Sequence, residues 1–143
     1  MDGAGNLCGT TGGGAEAEGQ AYELSPPGQG ETRCSWAVVR TFDEHLEDAR
    51  RGLYPQGGLI ADTGGNLYGV TYRGGAYNYG VVFELSPPRA GAKHWEETVL
   101  HAFDGKHGGS PEAGLIGDGA GGFYGTAPIG GANDDGVVFA LAP

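Results

Sequence analysis

Apolar residues in this chain fall in short bursts separated by glycine-rich turns, with no long amphipathic stretch. In Gly80-Val-Val-Phe-Glu-Leu-Ser-Pro-Pro88, alternation puts Val81, Phe83 and Leu85 on one face and Val82 and Glu84 on the other, the two-residue period of a β-strand. The prolines end that strand, because proline cannot donate to a ladder. Upstream, Asp62-Thr-Gly-Gly-Asn66 predicts a hairpin, since Asp, Asn and Gly tolerate the positive φ of tight turns.

The same pattern recurs. Asp62-Thr-Gly-Gly-Asn-Leu-Tyr68 matches Asp2-Gly-Ala-Gly-Asn-Leu-Cys8, 60 residues earlier, and Asp118-Gly-Ala-Gly-Gly-Phe-Tyr124, 56 residues later. Gly80-Val-Val-Phe-Glu-Leu85 aligns with Gly19-Gln-Ala-Tyr-Glu-Leu24 and Gly136-Val-Val-Phe-Ala-Leu141, Val99-Leu-His-Ala-Phe103 with Val38-Val-Arg-Thr-Phe42, and Gly114-Leu-Ile116 with Gly58-Leu-Ile60. Each unit thus offers four short strands: a (Gly-Leu-Ile), b (Asn-Leu-Tyr-Gly-Val-Thr), c (Gly-Val-Val-Phe-Glu-Leu) and d (Thr-Val-Leu-His-Ala-Phe). Divided at the aspartate turn, the repeats run 2–61 (without strand a), 62–117 (complete) and 118–143 (without strand d). Acids first, Arg50 and Arg51 last, then Gly52 predict a short surface helix over 43–52 as an insertion in the first repeat. The expected fold is all-β, built of β-propeller-like four-stranded antiparallel blades. Chain order gives three, four and three strands, about two and a half blades in an incomplete ring, where a propeller has roughly four to eight. Equivalent positions such as Leu67 and Phe123 then require equivalent surroundings.

These residues resemble the Gloeobacter/Verrucomicrobia-type tandem repeat, often called the GloVer repeat. Gly65-Asn-Leu-Tyr-Gly-Val-Thr71, Gly80 to Pro87, Val99-Leu-His-Ala-Phe103 and Pro111-Glu-Ala-Gly-Leu-Ile116 follow its pattern in order and spacing. Cys8 departs from it where Tyr68 and Tyr124 stand, as does Ala127-Pro128 where Thr-Thr is usual. The resemblance implies bacterial origin, propeller-like architecture and tandem arrays in secreted or cell-surface proteins. It supplies no reaction, cofactor or catalytic residues.

Composition narrows the partners. Glycine reaches 31 of 143 residues, where ordinary usage of about 7% gives roughly ten, in keeping with many turns. The formal charge is −10 with only 8 Lys and Arg, which argues against nucleic acid and against an anionic membrane surface. No apolar run approaches the roughly 20 residues a bilayer needs, and no signal peptide follows Met1. An arc of blades exposes the faces of its terminal blades, because a repeat buries its apolar face only against a neighbour. A longer natural array, or self-association through blade faces or edge strands, is therefore expected.

Candidate chemistry is sparse. Gly117-Asp-Gly-Ala-Gly-Gly122 has the G-x-G-x-x-G spelling but leads into Phe123-Tyr124-Gly125, a strand where a dinucleotide site needs a helix. Asn133-Asp134-Asp135-Gly136 hints at calcium, yet Gly131 and Ala142 occupy the first and twelfth positions of an EF-hand frame, leaving turn chemistry. His45, His94, His101 and His107 show no zinc spacing. Asp104 and His107 have no serine in an elbow context, since Ser110 is followed by Glu112 at the position that needs glycine. Cys8 and Cys34 lie with strand c between them, a lateral separation of about 9.6 Å against the roughly 7 Å limit for a disulfide, and are expected as free thiols. No catalytic residue, metal site or cofactor is expected.

Tyr68, Tyr124, Tyr72 and Trp95 are the candidate ligand-binding residues, with Trp36 beside them, because aromatic rings stack on sugars. Packing between blades competes for the same rings, most directly for Tyr68 and Tyr124, which recur at one repeat position. The function expected is a non-catalytic module, a scaffold or ligand-binding surface, with carbohydrate as the candidate ligand. The alternatives are a propeller-type polysaccharide hydrolase or lyase using loop carboxylates, and a purely structural adhesin-like array.

Overall fold

A computed structural model describes residues 2, 4–14, 17–43, 51–90 and 92–142. Ten strands are present among them: β1 (Leu7–Gly14), β2 (Ala17–Ser25), β3 (Ser35–Thr41), β4 (Gly52–Ala61), β5 (Leu67–Gly74), β6 (Val81–Ser86), β7 (Glu96–Ala102), β8 (Ile116–Gly117), β9 (Phe123–Ala127) and β10 (Val137–Leu141). They form three antiparallel meanders, β1-β2-β3, β4-β5-β6-β7 and β8-β9-β10, and none closes on itself. The strands therefore fall as b-c-d, a-b-c-d and a-b-c, as chain order predicts. The described residues contain no helix.

The helical turn expected over 43–52 lies mostly on residues 44–50, outside the described residues. At its far end the expectation is corrected, because Gly52 already pairs with Gly74 as the first residue of β4. Strand a of the middle sheet is ten residues long, whereas its counterpart β8 has two. The additional length contains a register shift between Gln56 and Ile60 and positive φ at Tyr54 and Gly57. Such an irregularity lets extra residues enter a strand without inverting the faces beyond it.

Alternation in the middle sheet builds two cores. Leu67, Val81, Phe83 and Leu85 pack with Ala21, Val39 and Phe42 of the first sheet. On the opposite face, Tyr68, Val70 and Val82 pack with Phe123 and Ala127 of the third, joined by Phe139 and Leu141. Leu67 and Phe123 thus each point at the preceding sheet, as equivalence requires. One inter-sheet contact occurs twice: Phe42, just after β3, meets Phe83 at 5.3 Å, and Phe103, just after β7, meets Phe139 at 5.1 Å. Such aromatic pairs add about 1 kcal/mol beyond their buried area.

Within each sheet, a glycine of strand b faces an aromatic of strand c. The pairs are Gly9 with Tyr22, Gly69 with Phe83 and Gly125 with Phe139. The ring lies over the glycine so closely that a Cβ at Gly69 would stand 2.6 Å from Phe83 Cζ and 2.7 Å from Leu59 Cδ2. At Gly125 the Cβ would stand 2.4 Å from Phe139 Cζ, and at Gly9 the nearest atom is the Tyr22 hydroxyl at 2.7 Å.

Phe83 is fully buried and cannot swing aside, whereas Tyr22 is only half-buried. Gly69→Ala should therefore cost about 1–3 kcal/mol of unfolding free energy, and Gly9→Ala clearly less. Urea denaturation of both variants checks the ranking, and equal losses would contradict it.

Candidate functional site

The turns that lead into strand b of the three sheets share one geometry. Each aspartate backbone amide bonds to the carbonyl four residues on, Asp2 to Asn6, Asp62 to Asn66 and Asp118 to Gly122, at 3.0 Å in every case. Its side chain folds back over the turn. Asp62 Oδ1 accepts from the amides of Gly64 and Asn66 at 2.8 and 2.9 Å, while Oδ2 accepts from Asn66 Nδ2 and from the Tyr68 hydroxyl, both at 2.9 Å. Asp2 repeats this with Ala4 and Asn6. Asp118 does so with Ala120 and Gly122.

These turns border a cleft of about 850 Å³ lined by Asp2, Asp62, Tyr68, Phe123 and the glycines of 117–122. The carboxylates on it are committed. Burial alone would raise the Asp62 carboxyl, but the bonds from Asn66, Tyr68 and the turn amides outweigh burial and hold it below the ordinary carboxylate range. The Asn6 amide, together with its side chain and neighbouring turn amides, does the same for Asp2. A general acid needs a carboxyl held neutral near working pH, which is the opposite direction. The phenol of Tyr68 is pushed up to about 12, first by burial between sheets and then by its bond to Asp62.

The other motifs resolve into structural roles. Gly117 to Gly122 forms this turn and opens β9, with no helix after it. The calcium hint is a b–c hairpin: Asp134 Oδ1 accepts from Gly130 at 3.0 Å, as Asn78 Oδ1 does from Gly74 at 3.0 Å, and both residues adopt left-handed φ of 62° and 58°. No group of three His, Cys, Asp or Glu converges as a metal site among the described residues. His107 donates its amide to Asp104 Oδ1 at 2.7 Å and sets its ring Nδ1 2.7 Å from Oδ2. The amide and then the ring hold Asp104 at about 2, which makes the pair a loop clasp. Cys8 and Cys34 are unbridged. Glu23 pairs with both Cys8 and Ala37, which places Cys34 two strands across and about 10 Å further along. Burial, then the charges of Asp2 and Glu23, push the Cys8 thiol up, away from nucleophilic reactivity.

The four aromatic candidates do not form one patch. Tyr68 is buried between the second and third sheets with its ring 4.4 Å from Phe123. Tyr124 holds the same repeat position on the outer face of the third sheet and is exposed. Trp95, just before β7, packs against the core between the first and second sheets. Tyr72 is half-buried on β5 under the Arg73 guanidinium, whose Cζ lies 5.8 Å from the ring centre, a cation–π distance. Across the ladder, Leu53 pairs with Arg73 and Pro55 with Thr71, which puts the exposed Tyr54, at a left-handed φ of 57°, opposite Tyr72 in register, a placement not legible in the sequence.

Sequence reasoning also missed a buried ion cluster. Glu97 on β7 has a fully buried side chain with Arg40 Nε of the first sheet at 2.8 Å and Arg51 Nη1 at 3.5 Å. Its Oε1 accepts from the Gly52 amide at 3.3 Å. The Arg40 contact is an off-axis ion pair, not an aligned hydrogen bond. The available signal was that Arg40 and Glu97 both depart from their repeat equivalents, His101 and Trp36.

A stack of antiparallel meanders with recurring turns and recurring inter-sheet contacts defines a β-repeat protein. The chain belongs to the Gloeobacter/Verrucomicrobia repeat family, whose model matches residues 1–143. No curated protein and no solved structure matches it.

Two outcomes follow from this chemistry. Glu97→Ala strands arginine charge at the sheet junction and should cost about 3 kcal/mol in urea unfolding; a loss within about 0.5 kcal/mol would show that the cluster contributes nothing. Tyr68 has a folded-state pKa above the ordinary 10.0, so the stability it contributes is complete below pH 10 and disappears as pH rises through about 12. Alkaline phenolate absorbance of the folded chain should contain a step near pH 12 that Tyr68→Phe removes, and persistence of that step in the variant would refute the assignment.

Proposed function

We propose that the three sheets are consecutive blades of a propeller-type arc, and that the chain acts as a non-catalytic scaffold or ligand-binding surface of an exported or cell-surface bacterial protein. The single observation that supports this most is the repetition of Phe42 on Phe83 by Phe103 on Phe139. Sheets that meet face to face through the same repeat positions are how blades stack. Family membership supports the repeat reading independently.

Non-catalytic is the better reading because the turn carboxylates that border the large cleft are spent on their own turns. A glycosidase needs two convergent carboxyls, one of them with a raised pKa, and Asp2 and Asp62 are both held low. For ligand binding, the surface at Tyr54, Tyr72 and Arg73 combines two rings with a cation, a composition that suits a neutral or acidic sugar. Glycan-array screening tests it. Binding to an oligosaccharide that weakens roughly tenfold, about 1.4 kcal/mol, on Tyr72→Ala with the fold intact supports recognition there. Silence across a broad array favours a purely structural array, and polysaccharide turnover that a single carboxylate substitution abolishes would overturn the non-catalytic assignment.

A further inference from the structure

One end of the middle sheet differs in chemistry from its counterpart in the third. The chain has seven tyrosines. Four of them, Tyr54, Tyr72, Tyr77 and Tyr79, belong to the end where the b–c hairpin turns, since Gly52 pairs with Gly74 there, two residues before Tyr54 and two after Tyr72. Tyr77 is 63% exposed, Tyr79 40% and Tyr54 38%. The third sheet repeats the backbone of this end. Ser110 has a φ of 52° where Tyr54 has 57°, Gly109 bridges Ile129 as Leu53 pairs with Arg73, and Asp134 closes the hairpin as Asn78 does. Its residues at the four positions are Ser110, Pro128, Asn133 and Asp135. The fold therefore forms this end without a single aromatic ring, and packing does not require the tyrosines. Tyr54 is kept against a cost, because a bulky residue at left-handed φ ahead of a proline is disfavoured, and such strain concentrates at functional sites.

We infer that this end of the middle sheet binds a neutral, β-linked, gluco-configured oligosaccharide laid across the tyrosines. Equatorial hydroxyls in such a chain leave the faces of each sugar ring as apolar C–H surface. A tyrosine covers that surface with its ring while its phenol bonds to the hydroxyls. Tyr79 is held ready for this. Its ring lies on the loop after β7, where a Cβ at Gly105 would stand 2.6 Å from it and one at Gly109 3.0 Å. Its carbonyl accepts from the Ser110 amide at 2.7 Å. A ring fixed beforehand loses little freedom on binding. Charge selects a neutral chain. Exposed Arg73 and Lys106 are matched in number by exposed Asp134 and Asp135 of the neighbouring hairpin, whose Gly131 amide bonds to the Lys106 carbonyl at 2.9 Å. The formal charge of −10 also repels polyanions. Because the four rings are spread over two strands and a hairpin, several sugar units are engaged together. This inference rests on the sugar-binding reading of Tyr54 and Tyr72, extends that surface to Tyr77 and Tyr79, and narrows its ligand.

Titration calorimetry of the 143-residue chain with cellohexaose and with chitohexaose tests this. One of the two should bind, more tightly than its own disaccharide, with a dissociation constant that is the same at low and high salt. Tyr77→Asn should weaken that binding about tenfold, whereas Tyr77→Phe, which keeps the ring, should retain most of it. Asparagine stands at the same place in the third hairpin, so circular dichroism should report an unchanged fold in the first variant. Binding lost in Tyr72→Ala but unchanged in Tyr77→Asn would leave the Tyr54–Tyr72 surface standing and overturn its extension. Binding of oligogalacturonate alone, weakening as salt rises, would overturn the neutral ligand and spare the sugar reading. Failure of both neutral hexasaccharides to bind would overturn the inference, and a glycan array silent as well would take the sugar reading with it.

Discussion

Phe83 lying across Gly69 is the interaction on which the rest of the molecule depends. The ring crosses from strand c onto strand b only because residue 69 has no side chain, and from there it also receives Phe42 of the neighbouring sheet. One side chain thus fixes the pairing of two strands and the seating of one sheet on another. The same arrangement occurs at Gly125 and Phe139, where Phe103 plays the part of Phe42. A glycine in a strand ordinarily weakens it, and an aromatic across the ladder restores the lost contact. Here that local repair also carries the long-range packing.

Two-sided burial follows. A sheet whose alternate residues are apolar on both faces cannot face water on either. The middle sheet satisfies both faces inside the chain, Leu67, Phe83 and Leu85 on one side and Tyr68, Val70 and Val82 on the other. Sheet-on-sheet stacking is therefore a requirement of the strand pattern.

Much of this was legible in the sequence for definite reasons. Strand c declared one core face through the two-residue spacing of Val81, Phe83 and Leu85, and the turns Asp-x-x-Gly followed by Asn or Gly declared the hairpins because few residue types fit them. The repeat then transferred each assignment to its counterparts. The length of β4 was hidden, because Tyr54 and Gly57 take positive φ and break the two-residue period that would have marked residues 52–57 as strand. The Tyr54–Tyr72 juxtaposition was hidden with it. The Glu97 cluster escaped for another cause: Arg40 and Glu97 lie on different sheets, and a pairing across a stack leaves no trace in local spacing. The candidate aromatics were found by type, but the face each occupies decides its surroundings, which is why Tyr68 and Tyr124 share a repeat position and differ in exposure.

The b–c hairpin has a separate consequence. Its frame needs only one side-chain acceptor, Asn78 in the second sheet and Asp134 in the third, and the backbone bonds around it coincide. The residues on either side are released from that duty, and they differ completely: Tyr77 and Tyr79 in one hairpin, Asn133 and Asp135 in the other. Identical mounts thus hold unlike tips, one aromatic and one acidic. A protein made of such mounts can vary its outward chemistry tip by tip while its architecture stays constant.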